Sequence, residues 1–209
     1  MAKYDRKDHL HQRAKKEGLR SRAAYKLQEV QKSSKLLAKG YRVFDLGCWP
    51  GGWLEIAAGL VGNSGRVVGV DRAEVDPEIP FSQVTAMVGD LEDVDIAERL
   101  RASLGADRAD VILSDAAPKL TGIRETDRAN VERLLEAIEA LLPELLAPGG
   151  SLLIKILEGP EAQVVDRRIR KSFDSAKTTK LKSTRKGSTE RYLLARGYHG
   201  GQGEPTPIR

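Results

Sequence analysis

Phe44-Asp45-Leu46-Gly47-Cys48-Trp49-Pro50-Gly51-Gly52-Trp53 reads as an apolar strand that ends in a carboxylate, enters a glycine-rich turn and passes at once into a helical segment. In an open α/β sheet, ligands sit at the carboxyl ends of the strands. Glycines there let backbone come close to a ligand and to the neighbouring helix. The stretch predicts a fold and a binding site together.

Outward from it, strands and helices alternate. Before it, Ala24, Leu27 and Val30 recur on one helical face after Ser21, a candidate N-cap, and Gly40 closes that segment. After the strand Tyr41–Leu46 come a helix over Gly52–Val61, strands over Arg66–Asp71 and Val84–Val88, a helix over Ile96–Leu104 and a strand over Ala109–Ser114. A long amphipathic helix, Arg128–Leu146, carries Pro143, a candidate bend. Pro148-Gly149-Gly150 then turns into the strand Ser151–Leu157, followed by a helix over Glu161–Lys171 and β-like pieces near Ser175–Leu181 and Arg191–Ala195. Strands spaced by helices imply a mostly parallel, doubly wound sheet. Residues 1–20 read as a basic flexible arm, 21–198 as one domain and 199–209 as a disordered tail.

The 209 residues suit a single core. No apolar run approaches the ~20 residues that span a bilayer, and no signal-peptide core opens the chain. The single cysteine, Cys48, excludes an internal disulfide. A cytoplasmic, monomeric protein with no membrane association is expected. The net charge of +5 is unevenly spread. Residues 1–39 and 166–209 each hold twelve Lys/Arg against four Asp/Glu, while 40–165 holds eleven against twenty-two. Basic ends around an acidic centre suggest a polyanion partner, the alternative being two solvated basic tails.

The ligand is not a pyrophosphate. Trp49 breaks a G-x-G-x-x-G fingerprint, and Trp53-Leu54 replace the Lys-Ser/Thr of a P-loop. Asp45, Asp71, Asp90 and Asp115 fall at four successive strand ends. Any one of them is explained by a cap or a turn. Four beside a glycine-rich turn favour a cationic ligand, a sulfonium bearing an α-amino group, and hence S-adenosylmethionine over NAD or ATP. Asp71 is placed to accept from ribose hydroxyls, and Asp90 to reach an adenine amino group. No zinc-type spacing joins His9, His11, His199 and Cys48, so no metal is expected. No G-x-S-x-G nucleophile turn occurs.

Five pieces, in order, resemble the FtsJ-type (RrmJ) RNA ribose 2′-O-methyltransferases over about residues 20–198. They are Ser21-Arg22-Ala23-Ala24-Tyr25-Lys26-Leu27, the turn at 45–53, Ser114-Asp115-Ala116-Ala117-Pro118-Lys119-Leu120-Thr121-Gly122, Ile154-Lys155-Ile156-Leu157-Glu158-Gly159 and Arg185-Lys186-Gly187-Ser188-Thr189-Glu190-Arg191-Tyr192. The resemblance implies a Rossmann-like class I fold with a seven-stranded sheet. It implies a catalytic tetrad of Lys26, Asp115, Lys155 and Glu190, and S-adenosylmethionine contacts at Gly51, Trp53, Asp71, Asp90 and Asp115. The compact length is most similar to the branch that methylates a uridine of large-subunit ribosomal RNA. The chain departs from the family at Cys48-Trp49, where two small residues are usual. Trp49 either narrows the methionine side of the pocket or packs outward.

The implied reaction is in-line attack of a ribose 2′-oxygen on a sulfonium methyl. An alcohol must lose or share its proton first. Lys155 stands in the apolar run Leu152–Leu157, where a charge must be paired or lowered in pKa. Either Lys155 handles the proton with Asp115 orienting it, or Lys155 stays cationic and Asp115 takes the proton. Arg6, Lys7, Arg13, Lys15, Lys16, Arg20 and Arg22 supply one basic patch for RNA, and Arg167, Arg168, Lys182, Arg185 and Lys186 a second. Other RNAs such as tRNA, a non-catalytic ribosome assembly factor and a small-molecule O-methyltransferase stay open as alternatives.

Overall fold

The structure, a computed structural model, describes residues 9–119, 121–157, 159–185 and 187–200. Its elements are α1 (His9–Lys16), α2 (Ala24–Ser34), β1 (Arg42–Leu46), α3 (Gly52–Val61), β2 (Arg66–Asp71), β3 (Val84–Val88), α4 (Ile96–Leu104), β4 (Ala109–Ser114), α5 (Arg124–Leu145), β5 (Leu146–Ile156), α6 (Pro160–Arg170), β6 (Phe173–Thr179) and β7 (Arg191–Tyr198). The seven strands form one Rossmann-like sheet in the order β3-β2-β1-β4-β5-β7-β6. All pairs are parallel except those of β7, which is antiparallel to both β5 and β6. The mostly parallel, helix-flanked sheet expected from the sequence is the one found.

Alternation along the strands sorts side chains onto two faces. Phe44, Leu46, Val68 and Val70 pack against α4 and α5, while Val43, Val67, Val111 and Leu113 pack against α2 and α3. Fully buried residues of this size contribute ~1.5–3 kcal/mol each. The sheet is thus a rigid base on which the loops at its carboxyl edge are carried.

Several boundaries differ from the sequence reading for local reasons. The first is at the N-terminus, where α1 lies within the stretch read as a flexible arm. It presents a single buried side chain, Ala14, so no apolar periodicity announces it. Residue 20 is also tied down, since the Arg20 guanidinium donates to the carbonyls of Pro77 and Glu78. Ser21 is not an N-cap. The cap position of α2 is Ala23, and Ser21 starts the turn before it through a 3.2 Å bond from the Ala24 N–H. The same helix ends at Lys35 rather than Gly40, because Gln31 bonds both the carbonyl and the N–H of Leu37 and folds the chain back. Helix α5 begins at Arg124, where Asp127 caps the Thr121 and Gly122 N–H groups. Pro143 lies within it without ending it. The ladder of β4 and β5 jumps from Ala109↔Leu146 to Val111↔Ser151, so the expected Pro148–Gly150 turn appears as a bulge inside β5. Strand β6 runs two residues earlier than expected, and β7 runs on to Tyr198.

Arg6, Lys7, Leu120, Glu158, Lys186 and the tail from residue 201 lie outside the described residues.

Candidate active site

The parallel strands β1, β2 and β4 all deliver their carboxyl ends to one edge, and a cavity of about 780 Å³ opens there. Gly47, Trp49, Asp71, Asp90 and Asp115 are among its lining residues. Gly47 is required by packing, since a Cβ on it would stand 2.4 Å from the Ala116 Cβ, and its φ of +85° suits glycine. This close approach brings the turn after β1 against the segment that follows β4.

Asp71 ends β2 and is aimed by two backbone donors. Its Oδ2 accepts the Trp49 N–H at 2.9 Å and its Oδ1 the Ala73 N–H at 3.0 Å. Each oxygen keeps a further lone pair for a ligand hydroxyl. Asp90 accepts the Glu92 N–H at 3.2 Å and pairs with the exposed Arg72 at 3.1 Å.

The third acid, Asp115, follows β4 and joins the four residues of the expected tetrad. Lys26 Nζ lies 3.2 Å from Asp115 Oδ2 and 3.0 Å from Glu190 Oε1. Lys155 Nζ lies 3.2 Å from Asp115 Oδ1 and donates to the Asp115 carbonyl at 2.6 Å. Four residues, from α2, the β4 edge, β5 and the position before β7, thus meet as a charge-balanced chain, Glu190–Lys26–Asp115–Lys155. Lys155 is only 9% exposed at its side chain, a burial that is tolerable because the group has no net charge. Burial acts to raise the Asp115 pKa. The Lys155 and Lys26 ammoniums and a hydrogen bond from Tyr192 outweigh it and hold the carboxyl below its ordinary range.

Tyr192 is the functional side chain that sequence reasoning missed. Its hydroxyl donates to Asp115 Oδ1 at 2.6 Å, and its ring lies 5.3 Å from the Lys26 ammonium, within cation–π range. Burial, then the Asp115 and Glu190 charges, raises its pKa, so it stays a donor. The signal was present, since Tyr192 sits two residues after Glu190, on the same side of an extended chain.

Three groups of expected residues are placed or partnered in ways the sequence does not show. Asp45 does not line the cavity. It is 1% exposed inside β1, where burial and then the Asp115 and Asp71 charges raise its pKa well above the ordinary value. With the Asp45 pKa raised, Asp90 paired and Asp115 compensated, the edge is less negative than four free acids would make it. Gly51 and Trp53 are not among the lining residues. Trp53 is 3% exposed, donates its indole N–H to the Ala23 carbonyl at 2.7 Å and packs 6.1 Å from the Tyr192 ring. Gly51, with φ +99°, is the N-cap of α3. Both residues fix where α3 begins. The basic patches are also partly consumed. Arg13 pairs with Glu17, Arg20 with two carbonyls, Arg22 with the Ser183 carbonyl and Arg168 with Glu136 and Glu139.

Among the described residues no group of three His, Cys, Asp or Glu could hold a metal ion, and no helix is long and apolar enough to cross a membrane.

A sequence profile of the FtsJ-like methyltransferases matches residues 19–198. The chain belongs to that family. An FtsJ-like relative from Methanothermobacter thermautotrophicus, named ribosomal RNA large subunit methyltransferase E, is 42% identical over 195 residues, which are 93% of this chain and 92% of the relative. A protein of the same name from Acidithiobacillus ferrooxidans is 41% identical over 194 residues, 93% of this chain and 87% of its own length. A crystal structure from Plasmodium falciparum, assigned as a ribosomal RNA methyltransferase, has a TM-score of 0.76 at 29% identity and covers 87% of this chain and 99% of that one. This FtsJ-like chain therefore carries the family's fold over nearly its whole length, and Asp115 of the tetrad lines its cavity.

Proposed function

We propose that this methyltransferase methylates the ribose 2′-hydroxyl of a uridine in large-subunit ribosomal RNA, acting as a monomer on the assembled subunit. The observation that carries the reading is the Glu190–Lys26–Asp115–Lys155 chain of ion pairs, linked by contacts of 3.0–3.2 Å, with Asp115 lining the cavity. Its residue types and order match those that the family resemblance implies.

S-adenosylmethionine is the family's methyl donor, and the residues fit it. The cavity falls within the ~300–1,000 Å³ usual for ligand pockets. The Asp71 carboxylate, pinned by two N–H groups, suits a vicinal diol, and Asp90 suits an exocyclic amine. Gly51 and Trp53 serve by holding the N-terminus of α3, whose first N–H groups have no intrahelical acceptor. When bound, the donor supplies an electrophilic methyl on sulfur.

The remaining work is that of the tetrad. Asp115 is kept ionised by three donors, which makes it a weak base. That disfavours Asp115 as the acceptor of the 2′-hydroxyl proton and leaves the role to Lys155, which takes it as the neutral amine after its own ammonium proton has passed to water. Lys155 is held by the Asp115 side chain and carbonyl, so its direction is fixed. Lys26 and Glu190 extend the ion-pair chain and hold the ribose. A positioned proton-transfer group contributes ~10²–10⁴-fold.

The test is a map of ribose methylation across total RNA with and without the protein, followed by transfer assays on large subunits and on naked rRNA. One lost methyl on a large-subunit uridine is expected. Lys155→Ala loses transfer and keeps donor binding, and Lys155→Arg, which stays cationic, does not restore it. Near-normal turnover by Lys155→Ala removes the tetrad reading.

A further inference from the structure

Helix α2 reaches the β6–β7 connection at two points one turn apart. Lys26 meets Glu190 at one end of that connection. Three residues further along the helix, Glu29 grips the other end. Its Oε1 accepts the Lys182 N–H at 2.8 Å, and its Oε2 accepts the Ser183 N–H at 3.0 Å and the Ser183 hydroxyl at 2.8 Å. Arg22, just before the helix, donates to the Ser183 carbonyl at 2.6 Å. The turn so held is itself closed by the Thr184 N–H on the Leu181 carbonyl, and Leu181 is buried in the same cluster as Leu27 and Val30 of α2.

Both oxygens of the Glu29 carboxylate are engaged by this turn. Burial acts to raise its pKa, and the Lys182 and Ser183 donors outweigh it, so it accepts as an anion. Hydrogen bonds to a charged acceptor are roughly twice as strong as neutral ones. Three on one carboxylate, with a guanidinium on the same residue's carbonyl, make a rigid staple between α2 and the connection that carries Glu190.

We propose that Glu29 is a positioning residue for methyl transfer: it acts through the Lys182–Ser183 turn to hold Glu190 at salt-bridge distance from Lys26. It touches neither cavity nor tetrad. The proposal rests on the tetrad reading given above.

The experiment is a double-mutant cycle on the full chain. The maximal transfer rate on large subunits is measured for wild type, Glu29→Gln, Glu190→Gln and the double variant, with donor affinity by calorimetry and melting temperature alongside. Glu29→Gln is isosteric but cannot accept all three bonds. It is expected to lower the rate about tenfold, a loss of ~1.4 kcal/mol, with donor affinity unchanged within about twofold. In the Glu190→Gln background it is expected to cost less than about twofold, because the residue it positions is already disabled. Multiplying losses overturn the proposal and leave the tetrad intact, as does a Glu29→Gln rate within twofold of wild type. Full activity of Glu190→Gln overturns the tetrad reading itself, and this proposal with it. Ser183→Ala, which deletes one of the three bonds without touching α2, serves if Glu29→Gln folds poorly. A smaller rate loss that vanishes in the Glu190→Gln background is then expected, and an unaltered rate counts against the proposal.

Discussion

Lys155 and Tyr192 face each other directly across the antiparallel β5–β7 pair, and both reach the same carboxylate oxygen of Asp115. Directly opposite residues on one face of a ladder have Cβ atoms about 5 Å apart. The reversal of β7 therefore places a phenol beside the Lys155 ammonium. Tyr192→Phe removes one donor from Asp115 without changing shape. Asp115 has a lowered folded pKa, so its contribution is present above the unfolded value and is lost as pH falls through the folded one. Losing a donor moves that folded pKa up. The acid limb of the rate–pH profile is expected to shift to higher pH in Tyr192→Phe, with donor affinity unchanged. An acid limb identical to wild type counts against the role given to Tyr192.

Asp45 titrates in the opposite sense. Its folded pKa is raised by burial, so its stability contribution is complete below the unfolded carboxyl pKa and is lost as pH rises toward the folded one. One of its oxygens is buried without a hydrogen-bond partner. Asp45→Asn supplies a group that stays neutral at every pH. The variant is expected to melt near wild type at pH 4 and several degrees higher at pH 8. Thermal melts at the two pH values decide it, and a difference that does not grow with pH removes the explanation.

The strand ends and their acids were legible because both are local: alternation, glycine and terminal carboxylate lie within a few residues of one another. The tetrad was legible because its four members ride on motifs with fixed order. Less visible were features decided by tertiary contacts. Asp45 reads as a strand-end acid, yet it shares the face of Val43, and alternation along β1 turns it toward α3. Trp53 follows a glycine-rich turn and so reads as a ligand contact, although its spacing to Ala57 and Val61 already puts it on the buried face of α3. The end of α2 depends on where Gln31 finds a partner, which no spacing encodes.

The basic surface left for RNA is narrower than the count of arginines suggests. On α1, Arg13 pairs with Glu17, whereas Lys15 and Lys16 are exposed. Lys15→Glu/Lys16→Glu is expected to weaken binding to large subunits at least several-fold, to flatten its dependence on salt and to leave donor affinity intact. Filter binding across a salt series measures the slope, and an unchanged slope places the RNA elsewhere. Deleting residues 1–20 confounds the test, because Arg20 also holds the Pro77–Glu78 segment, next to Ile79, which a Cβ on Gly51 would meet at 2.8 Å.

Trp49 and Trp53, four residues apart, are the chain's two tryptophans and differ most in exposure. Trp49 lines the cavity and is 57% exposed, and Trp53 is 3% exposed. Quenching of intrinsic fluorescence by acrylamide therefore reports Trp49 almost alone. The Trp49 N–H anchors Asp71, the residue assigned to the donor's ribose, and Trp49 lines the same cavity, so a bound donor is expected to cover part of the indole. S-adenosylhomocysteine is expected to protect the quenchable fraction in wild type and to have no such effect in Trp49→Phe, which keeps the backbone bond to Asp71. Calorimetric binding of the same compound without protection means that Trp49 packs away from the ligand. Absence of binding removes the cavity as the donor site.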